Sequence, residues 1–251
     1  LTNLCHPGQT RTFSTLNSTY YFPNMEALVR RYVANCQMCK KHKRHTQRFG
    51  ELPLSDTQAD PWELIHIDLF GPLTFTDKDG IDRKIQVVSI IDIATRWIEL
   101  KAYSSKRSED ISMIIDQEWF CRYPRTRAAI FDNGSEFTSE FHELLTSYGI
   151  KPKPTTIKNP TANSYVERIH QVIADSIRCM DLSSRPFDDT SQNAILQAAA
   201  YGLRATYHSN LLASPGQVVF GRDMIVNAAY ATRWKDISDR HKHQAIKNNL
   251  R

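Results

Sequence analysis

The order of strand-like and helix-like segments from Trp62 onward restricts the fold more than any other feature of this sequence. Three strand-like segments come first, "WELIHIDLF", "KIQVVSIIDI" and "RWIELKAY", and the last alternates polar and apolar residues. A helix over "SEDISMIIDQEWF", a strand at "RAAIF", a helix over "EFTSEFHELLTSYG" and a short strand at 150–156 follow. A last helix extends from about Thr161 to Met180. This order predicts an α/β domain with a mixed five-stranded sheet and flanking helices.

The first 45 residues have helical rather than strand-like hydrophobic spacing and predict a small helical domain. "YYFPNMEALVRRYV" places apolar residues at helical spacing, and a Pro-Asn turn interrupts the segment. The stretch that follows is polar and contains two prolines, which predicts a linker. We therefore expect a helical domain, a linker, the α/β domain and a C-terminal extension. Their predicted bounds are 1–45, 46–61, 62–212 and 213–251.

Composition narrows the classes of function. The chain has 251 residues, of which 41% are hydrophobic, and this is enough to fill a core. No apolar run approaches the ~18 residues of a membrane span, and no charged and apolar leader opens the sequence. Five cysteines without a disulfide-like spacing favour a reducing compartment. We expect a soluble, intracellular protein without a membrane partner.

A basic segment between Ala27 and Gly50 stands out against a formal net charge of only +5. The segment contains seven Lys or Arg and no Asp or Glu, which is typical of a surface that binds a polyanion through counterion release. A solvated linker explains this composition equally well. The seven residues are Arg30, Arg31, Lys40, Lys41, Lys43, Arg44 and Arg48.

Three acidic residues are candidates for a shared site. Asp68 interrupts an apolar strand near its carboxyl end, Asp132 directly follows the strand "RAAIF", and Glu167 lies beside the apolar stripe of the last helix. A right-handed crossover makes the two strands parallel, so we expect both aspartates at one edge of the sheet, where open α/β sheets bind ligands. A structural role also explains each aspartate, because Asp ends strands and Asn133-Gly134 is a turn signal.

The three carboxylates form a set of hard oxygen ligands that suits Mg²⁺, an ion that keeps positions for water and phosphate. Two such ions about 3.5–4 Å apart activate an attacking oxygen and stabilise a leaving one in phosphodiester displacement. The residues alone therefore favour a magnesium site on Asp68, Asp132 and Glu167, with the strand-end interpretation still open.

Three motifs, "HIDLFGPL", "FDNGSEFTSEF" and "NPTANSYVERIHQ", resemble in order and spacing the Asp-Asp-Glu signature of retroviral and gypsy-class retrotransposon integrases. Between Asp132 and Glu167 lie 34 residues, one fewer than the spacing commonest in retroviruses. The segments "IDIATRWIEL" and "SPGQVVFGRDM" are also similar to parts of these proteins. The resemblance covers about residues 5–250.

The resemblance implies a ribonuclease-H-like catalytic core preceded by a helical zinc-binding domain, as a fragment of a Pol polyprotein. It implies that Asp68, Asp132 and Glu167 bind two Mg²⁺ or Mn²⁺ ions. The implied enzyme is a polynucleotidyl transferase and endonuclease that processes the 3′ ends of retroelement DNA and transfers them into target DNA. A homo-oligomer on DNA, in the nucleus and in cytoplasmic virus-like particles, is also implied. The alternative is a domesticated or decayed integrase that binds DNA without catalysis.

Candidates for DNA contact come from two parts of the sequence. The end of the basic segment supplies the first group, and the loop before the last helix and the first turns of that helix supply the second. These candidates are Lys40, Lys41, Lys43, Arg44, Lys151, Lys153, Lys158, Asn163 and Ser164.

The N-terminal stretches "HPG", "YYFPNM" and "CQMC" are similar to the integrase zinc-binding domain, in which two His and two Cys hold one zinc ion. The resemblance assigns His6, Cys36 and Cys39 as ligands. Thr2 occupies the position of the first His, and threonine is a poor zinc ligand. Either a His upstream of Leu1 supplies this ligand, or the site is three-coordinate or degenerate. Cys5 would point about 100° away from His6 on a helix. We therefore expect weak zinc binding that Thr2→His strengthens, and tight native binding would reveal another ligand.

Four further residues have structural interpretations. Cys121 and Cys179 fall near apolar helical stripes and are predicted to lie in the core. Asp92 belongs to a motif of the resemblance, but a carboxylate in the turn after a strand is the favoured interpretation. His66 is either a packed polar residue or a residue that touches DNA or tunes the site.

Overall fold

The computed structural model divides the chain into two compact units. The described residues are 4–43, 59–76, 79–155, 160–180, 188–227, 229, 236, 238 and 239, without the side chains of residues 75 and 160–167. The first unit comprises Leu1–Leu54, Gln171–Asp181 and Ala198–Arg251. The second comprises Ser55–His170 and Leu182–Gln197.

The second unit is built on a mixed sheet. Its strands are β1 (Leu64–Thr76), β2 (Asp82–Asp92), β3 (Ile98–Tyr103), β4 (Ala128–Phe131) and β5 (Lys151–Pro154). Their order in the sheet is β3-β2-β1-β4-β5. β2 pairs antiparallel with β1 and β3, whereas β4 is parallel to β1 and β5. The architecture confirms the α/β class and the five strands predicted from the element order.

The helices are α1 (Gln9–Asn17), α2 (Met25–Ala34), α3 (Gln37–His42), α4 (Ser108–Ile115), α5 (Ser139–Ser147), α6 (Pro160–Arg178), α7 (Asp189–Ala205) and α8 (Pro215–Phe220). The helices between the strands follow the predicted order, whereas α7 and α8 were not predicted. A short 3₁₀ turn, Ser135–Phe137, precedes α5. None of the helices in the described ranges has both the length and the apolar character required to cross a membrane.

The sheet carries apolar side chains on both faces because helices cover both faces. Ile65 and Ile67 of β1 are fully buried, and so are Ile111 and Ile115 of α4. At Gly71, β1 is irregular in its pairing with β2, and the backbone has a positive φ of 123°. A Cβ there would lie 2.8 Å from the carbonyl oxygen of Ile85, so the close approach of the strands requires glycine.

A π-helical turn, Asp116–Phe120, extends α4 and corrects one prediction. A π-helical turn holds more residues than an α-helical turn, so the residues after it lie on a different face of the helix than regular α-helical spacing predicts. Cys121, which the stripe placed in the core, is therefore exposed, while Trp119 is fully buried. Cys179 is buried as predicted.

Asp92 ends β2 and organises the turn that follows. Its Oδ1 accepts a hydrogen bond from the backbone N–H of Trp62 at 3.0 Å, and its Oδ2 accepts from the N–H and hydroxyl of Thr95 at 2.7 and 2.6 Å. The side chain is fully buried, and burial raises its pKa against the opposing effect of these donors. This geometry confirms the interpretation of Asp92 as a turn carboxylate.

We expect Asp92→Ala to lower the free energy of unfolding by about 3 kcal/mol, because three donors lose their buried acceptor. Asp92→Asn should cost less, since its amide retains one acceptor oxygen. Urea unfolding of the full chain measures both changes. Glu143→Ala, at an exposed position of α5, is the control and should stay within about 0.5 kcal/mol of the parent. A similar loss in both alanine variants would contradict this role of Asp92.

Candidate functional site

Asp68 and Asp132 lie at the same edge of the sheet, on neighbouring parallel strands. The register of β1 and β4 pairs Leu64 with Ala128 and His66 with Ile130. Continuing this register by two residues sets Asp68 opposite Asp132, where adjacent strands are about 4.8 Å apart. The crossover argument made from the sequence therefore agrees with the strand pairing.

An aromatic cluster fixes the loop that presents Asp132. Phe131 and Phe137 flank the loop, and both pack against Phe141 of α5, with ring centroids 4.9 and 5.1 Å apart. All three phenylalanines are buried, whereas Asp132 between them is exposed. The Oδ1 of Asp132 accepts a hydrogen bond from the N–H of Gly134 at 3.1 Å, which leaves the second oxygen directed to its surroundings. The loop thus holds an exposed carboxylate on a rigid base.

A histidine on α6 lies beside Asp68. The Nδ1 of His170 is 3.8 Å from Asp68 Oδ2, and its Nε2 is 3.0 Å from the hydroxyl of Ser89. The imidazole also stacks on Phe70, with ring centroids 3.9 Å apart. Burial, with a smaller contribution from His66, lowers the pKa of His170 to about 4, so the ring is neutral at neutral pH. Asp68 thus has a fixed polar neighbour on its helix side.

The surrounding groups give this edge a negative electrostatic character. Burial raises the pKa of Tyr103 on β3, and the negative charges of Glu136 and Asp68 raise it further. His66 is almost fully buried, and this burial lowers its pKa to about 4. Neither ring nitrogen of His66 has a hydrogen-bond partner among the described residues. His66 is therefore a packed polar residue.

Sequence reasoning missed His170, Ser89 and Tyr103 as neighbours of Asp68. His170 follows Glu167 by three positions on one helix, and this spacing was a signal that could have identified it. No sequence spacing links Ser89 or Tyr103 to Asp68. The register between β1 and β2 is what brings Ser89 opposite Asp68.

The structure describes only some of the remaining predicted site residues. Glu167, Asn163 and Ser164 lie on α6, and their side chains fall outside the description. Arg44 and Lys158 fall outside the described residues altogether. Lys151 and Lys153 are exposed on β5, the edge strand next to β4. Their assignment to DNA contact stays a prediction.

The donor set at the sheet edge fits a divalent cation of the Mg²⁺ type. Asp132 offers an exposed carboxylate, and the carboxylate of Asp68 is 26% exposed, so both can reach a hydrated ion. Such an ion prefers hard oxygen ligands. Asp132 directly follows β4, but the prediction that Asp68 lies near the end of its strand was wrong, because β1 continues from Asp68 to Thr76 through its pairing with β2. The arrangement can therefore bind a cation and a phosphate group together.

A second candidate site lies in the first unit, where three zinc-type ligands come together. One ligand atom each of His6, Cys36 and Cys39 lie within 4.8 Å of one another. His6 Nδ1 is 3.3 Å from Cys36 Sγ and 3.7 Å from Cys39 Sγ. The structure thus brings together the three residues that the resemblance assigned, and Thr2 lies outside the described residues.

The electrostatics of this cluster act differently on its three ligands. Burial and the nearby charge of Lys43 lower the pKa of His6, which keeps the imidazole in its neutral, metal-binding form. Burial opposes ionisation of Cys36, but hydrogen bonds and Lys43 outweigh it and lower the pKa of this thiol. Burial and a hydrogen bond with Cys36 together raise the pKa of Cys39 to about 12. Cys36 is therefore the more acidic of the two thiols.

The basic residues near the zinc-type cluster are not equivalent. Lys40 and Lys41 are exposed at the end of α3, where a polyanion can reach them. Lys43 is only partly exposed, and its ammonium donates a hydrogen bond to the carbonyl oxygen of His6. Lys43 thus has a structural contact at the cluster that the sequence did not predict.

Comparisons with known families match two ranges of the chain. The integrase zinc-binding domain family matches residues 2–45, and the integrase core domain family matches residues 58–160. The first range contains the His/Cys cluster, and the second contains Asp68 and Asp132. A zinc-binding domain is thus followed by a core domain, in the order that the motifs indicated.

Relatives and a solved structure agree with these matches. The Pol polyprotein of transposon gypsy from Drosophila melanogaster is 27% identical over 223 residues, covering 86% of this chain and 20% of the polyprotein. That of transposon 412 from the same species is 25% identical over 218 residues, covering 86% of this chain and 17% of the polyprotein. The chain therefore spans about a fifth of the length of these curated relatives.

A chain in the simian T-cell lymphotropic virus intasome bound to PP2A regulatory subunit B56 gamma has a similar fold. Its TM-score is 0.55 at 15% sequence identity, over 91% of this chain and 76% of that chain. The family matches, the relatives and the sheet agree with one another. The chain thus carries an integrase zinc-binding domain followed by an integrase core domain, and its relatives are the Pol polyproteins of the gypsy and 412 transposons.

Proposed function

We propose that this chain catalyses the integration of retroelement DNA in two steps, 3′-end processing and strand transfer. In the first step water attacks a phosphodiester near each end of the element and releases a 3′-hydroxyl. In the second step this hydroxyl attacks a phosphodiester of the target, and the target's own 3′-oxygen leaves. Each step forms one P–O bond and breaks another at the same phosphorus. The first step leaves a 5′-phosphate on the released nucleotides, and the second makes a new phosphodiester. No covalent enzyme intermediate is required.

The observation that carries this proposal is the position of Asp68 and Asp132 on adjacent parallel strands. Together with Glu167 they would hold two Mg²⁺ or Mn²⁺ ions, which supply activation of the attacking oxygen and stabilisation of the leaving one. Asp132, on its aromatic base, keeps its carboxylate exposed for this purpose. His170, which is held by its contact with Ser89, lies 3.8 Å from Asp68 and adds a neutral polar group beside this carboxylate.

Integration joins two DNA ends to one target, and we propose that a homo-oligomer holds them. The basic residues Lys40, Lys41, Arg44, Lys151 and Lys153 would contact phosphates, and this interaction would be independent of sequence. We further propose action in the nucleus, after assembly in cytoplasmic particles.

A second candidate is a non-catalytic integrase that retains DNA binding. Thr2 favours this candidate, because loss of a zinc ligand is a change expected in a decaying element. Asp68 and Asp132 favour catalysis, since both retain the position and exposure that a metal site requires. Both candidate functions include DNA binding, but only the catalytic one generates processed and transferred DNA ends.

The test is a strand-transfer assay with the full chain, Mg²⁺, a labelled duplex of the element's terminal sequence and a supercoiled target plasmid. Catalysis predicts shortened 3′ ends and label covalently joined to the plasmid, and both should disappear with EDTA. A gel-shift measurement on the same duplex reports binding alone. Binding without either product, in Mg²⁺ and in Mn²⁺, would establish the non-catalytic candidate instead.

A further inference from the structure

Exposed aromatic side chains are concentrated in the connection between α1 and α2 and on α2 itself. Tyr20, Tyr21 and Phe22 of the connection are 51%, 87% and 40% exposed, and Tyr32 of α2 is 63% exposed. Among the residues that the structure describes, these are four of the six exposed Tyr and Phe side chains. Large apolar groups that gather on a surface, rather than being scattered singly, indicate a contact site.

Backbone hydrogen bonds anchor this connection at both ends. The N–H of Tyr20 donates to the carbonyl oxygen of Leu16 at 2.8 Å, and the N–H of Met25 donates to the carbonyl oxygen of Phe22 at 3.2 Å. Met25 and Val29 then bury the inner side of α2. The three aromatic rings of the connection therefore stay exposed on an ordered backbone.

The exposed surface continues along α2. Leu28, Arg31 and Tyr32 are exposed and share one side of the helix, because residues three and four positions apart are neighbours there. Tyr32 lies eight residues beyond Asn24, the residue that precedes the helix, which is about 12 Å along its axis. We call the exposed apolar side chains the aromatic patch, which comprises Tyr20, Tyr21, Phe22, Leu28 and Tyr32.

The charges around the aromatic patch are almost entirely positive. Glu26 is the only acidic residue among the first fifty positions, which contain eight Lys or Arg. Its carboxylate is 2.7 Å from a guanidinium nitrogen of Arg30, so this negative charge is already compensated. Arg31 on α2 and Lys40 and Lys41 on α3 are exposed. The surface therefore suits a ligand that combines flat apolar groups with negative charge.

A single DNA strand meets both requirements, whereas two other ligands meet only one. A twofold contact between copies would place the same patch on both sides and bring Arg31 and its basic neighbours against like charges. Duplex DNA offers phosphates, but the faces of its bases are stacked inside the helix. In a single strand the phosphates and the unpaired bases are both accessible, and bases of any sequence stack on aromatic side chains.

We propose that the aromatic patch binds the unpaired bases of single-stranded DNA, while Arg31, Lys40 and Lys41 contact the phosphates of that strand. The inference rests on the proposed function, because 3′-end processing shortens one strand of each element end and leaves bases of the complementary strand unpaired. The ligand is this 5′ overhang. The patch thereby distinguishes processed ends from blunt ones, which phosphate contacts alone do not do.

Fluorescence anisotropy with the full chain tests this binding on labelled duplexes of one sequence. One duplex is blunt, one has a 5′ overhang of about four thymidines, and one has an overhang of the same length without bases. The two overhangs carry the same phosphates, so their difference in affinity reports the bases alone. We expect the thymidine overhang to bind about 5- to 140-fold more tightly, since one stacked base contributes about 1–3 kcal/mol. Equal affinity for the two overhangs would overturn the proposal.

Variants of exposed rings locate the contact. Tyr21→Ala/Tyr32→Ala removes the two most exposed rings of the patch and should abolish most of the preference for thymidine. Tyr21→Phe/Tyr32→Phe keeps both rings and should retain the preference. Phe220→Ala removes an exposed ring of α8 and is the matched control, which should bind as the parent does. A full preference for thymidine in the double alanine variant would overturn the assignment to this patch.

Two further measurements separate this inference from the proposed function and from self-association. Strand transfer by the native chain without a preference for the thymidine overhang would overturn the inference and leave the proposed function in place. Absence of strand transfer and of all DNA binding would overturn both. Sedimentation equilibrium compares the double alanine variant with the parent, and we expect the same assembly. A smaller assembly with an unchanged preference for thymidine would assign the patch to contacts between copies instead.

Discussion

Asp132→Asn is expected to abolish both 3′-end processing and strand transfer while leaving the fold intact. The substitution keeps the shape of the side chain, and the amide oxygen can still accept the hydrogen bond from Gly134 that shapes the loop. It removes the charge that holds a divalent cation, and such a cation contributes several kcal/mol to charge stabilisation in the transition state. Because each 1.36 kcal/mol is a factor of ten, we expect both rates to fall by about a thousandfold or more.

The measurement is the Mg²⁺ strand-transfer assay on purified full chain, beside thermal unfolding of the same samples. Glu109→Gln, at the exposed start of α4, neutralises one carboxylate outside the site and should keep the parent rate. Strand transfer at the parent level in Asp132→Asn, with a normal unfolding temperature, would contradict the metal site. An equal loss in both variants would indicate an effect of net charge.

The triple variant Lys40→Ala, Lys41→Ala, Arg44→Ala is expected to weaken binding to any duplex DNA. Each phosphate contact that is lost should lower the slope of log affinity against log salt by about 0.9, so three contacts change it by about 2.7. The effect should be similar for the element's ends and for unrelated DNA, because phosphates carry no sequence information. Lys43 is left unchanged, since its ammonium contacts His6.

Fluorescence anisotropy between about 50 and 200 mM salt, the range over which such slopes are large, measures this change. The double variant Lys84→Ala, Lys106→Ala removes exposed lysines that we do not assign to DNA contact, and its slope should equal that of the parent. An unchanged slope in the triple variant would mean that the segment is a solvated linker. A loss confined to the element's ends would instead assign base or shape recognition to these residues.

The sheet and the two aspartates could be predicted because their signals are local. Strands are visible in the sequence as apolar runs or as alternating polar and apolar residues. The right-handed crossover rule then places Asp68 and Asp132 at one edge of the sheet. The turn role of Asp92 was also accessible, since an acidic residue after a buried strand and before a Thr commonly accepts from the turn.

The parts that could not be predicted depend on contacts between distant segments or on irregular geometry. Nothing near Cys179 in the sequence indicates that it touches Cys39, so a helical apolar stripe was the available signal. Cys121 was placed in the core because a regular helix was assumed, and the π-helical turn Asp116–Phe120 breaks that assumption. The ammonium of Lys43 reaches His6 across 37 residues, and composition alone grouped it with the neighbouring lysines.

The edge strand β5 has a property that follows from its alternation of Lys and Pro. Lys151 and Thr155 donate their N–H groups inward to the carbonyl oxygens of Arg127 and Phe131 on and before β4. The alternating geometry of a strand then directs the nitrogens of Pro152 and Pro154 outward, and proline has no N–H to offer there. The outer edge therefore presents carbonyl oxygens without donors, and another strand cannot form a regular ladder on it. A second copy of this chain therefore cannot extend the sheet at this edge.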